Sequence, residues 1–190
     1  MNVLIIPEDF RKDQYILQPI INAMFEGMGK KAKIRVCQEP LLGGISQATK
    51  TENIAKILKK YKGMVDLFLL CVDRDGKQHR KQRLEELEHF ASTLLAEKAF
   101  FIAENAWQEL EVWILAGHTM PSQWRWKDIR NETNPKEMYY LPFAKQCKLL
   151  DSPGEGRKIL AAEAARNYNR IAKLCPEDIG ALENRIRAVI

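Results

Sequence analysis

Two aspartates one residue apart, Asp73 and Asp75, close an apolar run in "VDLFLLCVDRDG". In an extended chain, side chains two residues apart share a face. Both carboxylates would then face one point, where like charges need a proton or a cation to coexist. Hard oxygen ligands of this kind suit Mg²⁺ or Mn²⁺, which take one or two carboxylates and complete their shells with water and phosphate oxygens. Asp-Arg-Asp-Gly is also a good turn, with aspartates capping backbone and Gly76 taking a positive φ. Alone, the tetrapeptide fits both readings.

Other acids occupy comparable places. Glu8 and Asp9 follow the apolar run "NVLII", and Glu104 follows "AFFIA". Ligands of open α/β sheets bind outside the carboxyl ends of the strands, so these acids would meet on one edge, which favours the metal. A helical reading of "WQELEVWILAG" at about 100° per residue groups Trp107, Leu110 and Ile114, with Leu115 to their side. Glu111 then falls on the edge of that inward face, and Glu109 points away as a solvated residue. A carboxylate facing a core is costly unless paired or metal-bound. Glu111 is therefore a candidate further ligand, with a structural salt bridge as the alternative.

The elements that position these residues follow from hydrophobic pattern. Short apolar runs at 2–6, 33–37, 65–72 and 99–103 read as buried strands. Amphipathic stretches at 13–29, 51–61, 81–97 and 107–117 read as helices, with Pro19 in the first as an early-turn or kink residue. Four strand–helix pairs with short connections predict a three-layer α/β sandwich with a mostly parallel central sheet over residues 1–117. Residues 118–153 are rich in turn formers and aromatics and read as an irregular loop or lid. Residues 154–190 read as a helical extension packed on the same domain, with "EGRKILAAEAARNYNRIAKLC" and "PEDIGALENRIRAVI" as its helices.

Composition sets outer bounds. The chain has 190 residues, 46% of them hydrophobic, which is enough for one real core. A net charge of +5 is compatible with a polyanionic partner but far from that of a DNA-coating protein. Cys37, Cys71, Cys147 and Cys175 form no CxxC pair, and His79, His89 and His118 have no zinc-site spacing. The pattern points to a reducing, cytoplasmic setting, and no apolar run approaches the roughly 20 residues that a membrane span requires. Trp124 and Trp126 alternate with Arg125 and Lys127; they either stack bases or anchor the loop and dock a partner.

A Glu ending strand one, a DxD ending strand three and the Gly43-Gly44 loop after strand two resemble the TOPRIM domain over residues 1 to about 117. "AENAWQELEVWILAG", with Glu109-x-Glu111-x-Trp113-x-Leu115-Ala116, is similar to a stretch of small TOPRIM-like proteins encoded beside ABC-type ATPases in bacterial anti-phage systems. The helical end resembles the same group, and OLD-type nucleases belong to the wider family. Two positions depart from the pattern. Asp9 stands where Gly is usual, and the acid normally four positions after Glu8 is replaced by Lys12, with Asp13 one place later.

The resemblance implies a metal-dependent nuclease acting on DNA or RNA. Glu8 would be its general acid or base, Asp73 and Asp75 its Mg²⁺ or Mn²⁺ ligands, and Glu111 a further ligand. It also implies a cation near the scissile phosphate, for which Lys158 and Arg157 are candidates, although a solvated helix start is the commoner role for both. Gly43, Gly44, Arg157, Arg166 and Arg170 are candidate contacts to nucleic acid, although a basic stripe such as Arg166, Arg170 and Lys173 is more often a wet helix face. The modest basic charge implies that grip on the substrate comes from an ABC-type ATPase partner or from a homodimer. Two other readings stay open: an inactive TOPRIM-like scaffold, sensor or inhibitor, and a receiver-type Mg²⁺-binding signalling module. The second lacks the hydroxyl residue and lysine that receivers carry after their fourth and fifth strands.

Overall fold

A computed structural model describes residues 1–95 and 98–190. Four strands, β1 (Asn2–Pro7), β2 (Lys33–Val36), β3 (Leu67–Asp73) and β4 (Phe100–Ala106), form one all-parallel sheet in the order β2-β1-β3-β4. The helices are α1 (Phe10–Gly27), α2 (Ile45–Ala48), α3 (Thr51–Lys60), α4 (Arg80–Ser92), α5 (Glu111–Gly117), α6 (Trp126–Asn131), α7 (Leu141–Gln146), α8 (Arg157–Ala165), α9 (Tyr168–Leu174) and α10 (Ala181–Arg187). π-helical turns at Lys136–Tyr140 and Pro176–Gly180 lead into α7 and α10.

The central strands are apolar on both faces because both faces are covered. Val3, Ile5, Leu67, Leu69 and Cys71 point into a layer built from α1, α5, α8, α9 and α10. Leu4, Ile6, Phe68, Leu70 and Val72 point into the layer of α3 and α4, where they meet Ile54, Ile57, Leu84 and Leu87. The three-layer α/β sandwich expected from the strand–helix alternation is the observed architecture. None of the described helices is long and apolar enough to cross a membrane.

Several local expectations are corrected. The first helix begins at Phe10 rather than 13, since Asp9 caps it by accepting from the Arg11 N–H at 3.0 Å. Pro19 is consequently internal to α1. α5 starts only at Glu111, and residues 107–110 are a turn with Gln108 at φ 75°. β4 runs on to Ala106, so Glu104 lies within the strand instead of beyond its end. The segment 118–153 is irregular only in part, carrying α6, a π-helical turn and α7, each too short to show periodicity. The long helix read over 155–175 breaks at Arg166–Asn167 into α8 and α9. α4 ends at Ser92, and the last two residues of the helix read there, 96 and 97, lie outside the described residues.

α5 and α8 approach unusually closely. A Cβ placed on Gly117 would lie 2.6 Å from the Cα of Ala164, so glycine is required by space. Asn167 donates to the Gly117 carbonyl at 2.9 Å and closes the same contact.

Candidate metal centre

The carboxyl ends of β1 and β3, the start of α1 and the turn before α5 bring acids together at one edge of the sheet. Asp73, Asp75 and Glu109 each offer a carboxylate oxygen within 4.8 Å of the other two. Glu8 stands beside them, accepting weakly from the Asp73 N–H at 3.4 Å. Asp73 and Asp75 do not converge through strand alternation. β3 ends at Asp73, and Asp75 adopts a left-handed φ of 51°, so a turn brings the second carboxylate back. The turn and metal readings of "DRDG" are therefore compatible.

Backbone pairing fixes that turn against the next one. The N–H groups of Arg74 and Asp75 donate to the Gln108 carbonyl at 2.7 and 3.1 Å, and Gly76 N–H donates to the Gln108 side chain at 2.8 Å. Leu110 N–H donates to Asp73 Oδ1 at 2.8 Å, and Lys136 N–H donates to Glu109 Oε2 at 2.7 Å. Two loops 30-odd residues apart in sequence thus become one acidic platform. Asp178, buried behind it, accepts from Trp107 N–H at 2.8 Å and Trp113 Nε1 at 2.7 Å, and pairs with Arg130 at 3.2 Å.

The charges at this edge are under strain. Burial pushes the Glu8 carboxyl above its ordinary value. Asp73 is raised well above its ordinary value, first by burial and then by the negative charges of Glu111, Asp13 and Glu8. Asp13 is pushed up to about 7, chiefly by burial, although Asp9 N–H donates to it at 2.7 Å. Glu109 is also pushed up to about 7, again chiefly by burial. Carboxylates whose charged forms are this disfavoured require either protons or a counter-cation.

Nearby basic groups supply only part of that charge. Arg80 pairs with Asp75 at 3.2 Å and acts electrostatically on Glu8. Its Nε is buried without an acceptor among the described residues, an orphan donor that an oxygen ligand would satisfy. Arg157, almost wholly buried, is committed to Glu111 through Nε at 2.9 Å and through Nη2, and to Glu155 at 2.6 Å. With Glu111 so neutralised, Asp73, Asp75, Glu109 and Glu8 keep unused oxygen lone pairs. This hard, all-carboxylate donor set fits a divalent cation of the Mg²⁺ or Mn²⁺ type.

The remaining predicted site residues divide cleanly. Gly44 N–H donates to the Glu8 carbonyl at 3.1 Å, so the Gly43-Gly44 loop borders the cluster, with φ of 63° and 121°. Glu111 lies behind the cluster as half of a buried ion pair, the alternative its helical position had left open. Arg157 is the other half and is not a free cation. Lys158 is exposed in an outer groove between α1 and α8, beside Tyr15 and Pro19. Arg166 and Arg170 flank Gly27 at the carboxyl end of α1, the end opposite Asp9 and Asp13. Glu104 pairs with Arg185 at 3.2 Å, away from the cluster. Trp124 packs edge-on to Tyr139, and Trp126 Nε1 donates to the Leu174 carbonyl at 3.1 Å, so both anchor their segment.

Sequence reasoning missed Glu109, Asp13 as a cluster member, and Arg80. A helical angle counted from Trp107 places Glu109 in solvent, but α5 begins only four residues later. Asp13 lies one helical turn beyond Asp9 and so returns to the same edge despite its displaced position. Compared with family models, curated proteins and solved structures, the chain matches none.

Proposed function

We propose that this protein is a divalent-metal-dependent nuclease that hydrolyses phosphodiester bonds in DNA or RNA, in the manner implied by its resemblance to TOPRIM nucleases. The observation that carries this reading is the meeting of Asp73, Asp75 and Glu109 within 4.8 Å, with Glu8 alongside. In it, Asp73, Asp75 and Glu109 hold the ion. A bound Mg²⁺ or Mn²⁺ supplies charge neutralisation, a more acidic bound water and stabilisation of the leaving oxygen.

The chain's own residues supply the rest. Burial raises the affinity of Glu8 for a proton, which suits a group that takes a proton at one carboxylate oxygen and returns it within a turnover. Arg80, tied to Asp75, presents positive charge where a phosphate would develop negative charge. The Gln108-centred hydrogen bonds keep the two ligand-bearing turns in register. Lys158 has no part in this arrangement. An ABC-type ATPase partner and a role in anti-phage defence belong to the proposal through the resemblance alone.

The test is cleavage of supercoiled plasmid and of single-stranded RNA with Mn²⁺ or Mg²⁺, with Mn²⁺ binding measured calorimetrically on the same samples. Metal-dependent cutting is expected for wild type and not for Asp73→Asn, with a roughly 10²–10⁴-fold loss for Glu8→Gln. Metal binding without cutting of either substrate would replace the nuclease with an inactive metal-binding scaffold.

A further inference from the structure

The acid edge is bordered by a stretch of opposite character, "RDGKQHRKQR", residues 74–83. Arg74, Lys77, Arg80, Lys81 and Arg83 stand against one acid, Asp75, so these ten residues carry +4 of the chain's +5 and the rest is nearly neutral. The stretch spans the turn after β3 and the first turn of α4. It forms a ridge that begins at Asp73 itself.

Two of its five cations are paired, Arg80 with Asp75 at 3.2 Å and Arg83 with Glu86 at 3.0 Å, and three are not. Lys77 and Lys81 are exposed and form no salt bridge among the described residues. Arg74 likewise lacks a carboxylate partner and instead lies over the Trp107 ring, 4.1 Å from its centre, which helps fix its position. One flank of the ridge is a groove of about 430 Å³ lined by Gly76, Lys77, Gln78, His79, Arg80 and Arg83, with no acid among them. The donor left over at Arg80 Nε belongs to this flank. On the other flank, Arg74 and Lys81 line a cleft of about 510 Å³ that also holds acids. Glu88 and Glu104 are paired with Arg185 and Glu177 with Arg130, while Glu85 has no salt-bridge partner among the described residues, so the Lys77 flank is the more favourable side for a phosphate.

We propose that the ridge of residues 74–83 is the track that holds the phosphate backbone of a nucleic-acid strand beside the Asp73–Asp75–Glu109 cluster. The inference rests on the nuclease reading above and gives that site its missing grip. Charge complementarity selects the occupant: a stretch with a net charge of +4, in which Arg74, Lys77 and Lys81 have no carboxylate partner among the described residues, fits a chain of phosphates. Continuity with the acid cluster gives the track its direction, because a phosphate passing Asp75 lies next to Arg80. The ridge also replaces Arg166 and Arg170, which lie at the opposite end of α1, as the contact surface.

The test measures binding rather than cutting. Fluorescence anisotropy in EDTA follows labelled single-stranded RNA, single-stranded DNA and duplex DNA over 50–200 mM salt, for wild type, Lys77→Glu/Lys81→Glu and Arg166→Glu/Arg170→Glu. All four substituted residues are exposed, so folding is retained and is checked by thermal scans. The expected result is at least tenfold weaker binding by the Lys77/Lys81 variant, a salt slope smaller by about 1.4–1.8, and no change in the Arg166/Arg170 variant. Equal binding by wild type and the Lys77/Lys81 variant overturns the track even if both cut. So does an absence of binding to every oligonucleotide, including the case where anionic phosphatidylserine vesicles bind instead. Binding that depends on Lys77 and Lys81 without metal-dependent cutting leaves the track standing and removes the nuclease.

Discussion

At the scale of single residues, the edge of the sheet is governed by carboxylates that prefer to be neutral. Asp13 and Glu109, each pushed up to about 7, and Asp73, also raised, bind more protons in the folded chain than in the unfolded one between about pH 4 and 7. Their contribution to stability is full below their ordinary range and is lost as pH rises through about 7. Thermal scans in EDTA should therefore show the melting temperature falling from pH 5 to pH 8.5. Mn²⁺ should restore more stability at pH 8 than at pH 5.5, and a metal-free melting temperature that climbs across this interval would contradict the assignment. Glu109→Gln, which retains an acceptor for Lys136 N–H, should raise the metal-free melting temperature at pH 8 by about 2–4 °C for each kcal/mol relieved. The same variant should lose most of the Mn²⁺-induced shift. Glu111 shows the complementary case. Arg157→Met alone should cost about 3–5 kcal/mol by stranding a buried charge, whereas Glu111→Leu/Arg157→Met should recover most of the loss and still bind Mn²⁺. Absence of Mn²⁺ binding in a folded double variant would make Glu111 a ligand rather than a brace.

At the scale of elements, the site depends on where strands and helices stop. β3 had to end at Asp73 and α5 had to wait until Glu111, so that the intervening turns could lock onto Gln108. The apolar run before Asp73 made the end of β3 legible in sequence. The late start of α5 was not legible, because Trp107, Leu110 and Ile114 satisfy a helical pattern whether or not residues 107–110 are helical. That single ambiguity sent Glu109 to solvent and Glu111 to the metal. The packing of α5 on α8 offers a direct check on the helix layer that supports the site. Gly117→Ala should destabilise the protein by about 1–3 kcal/mol, since α8 backbone blocks the added methyl. A melting temperature unchanged by this substitution would show that the two helices are not as close as described.

At the scale of the whole molecule, the segment after 153 completes the core instead of decorating it. Leu160, Ala164, Ile171, Ile179, Leu182 and Ile186 are at most 1% exposed and pack in the cluster that also holds Val3, Leu69 and Trp113. A chain ending at 153 should fail to fold, giving no cooperative thermal transition; a cooperative transition would overturn this view. Asp178 links the same segment to the site through Trp107, Trp113 and Arg130. Asp178→Ala should weaken Mn²⁺ binding as well as stability, because it frees the turn that carries Glu109.

The sequence by itself determined the strand–helix alternation, the three-layer sandwich and three acids of the cluster, Glu8, Asp73 and Asp75. These were legible because buried parallel strands are written as uninterrupted apolar runs, and polar residues at their ends stand out against them. Tertiary structure decided which further charges join and which are neutralised. Asp13 and Glu109 reach the edge through a helix start and a turn, while Arg157 reaches Glu111 across 46 residues and Arg80 reaches Asp75 across a left-handed turn. Such pairings depend on distance and burial between elements remote in sequence, and neither composition nor periodicity encodes them locally.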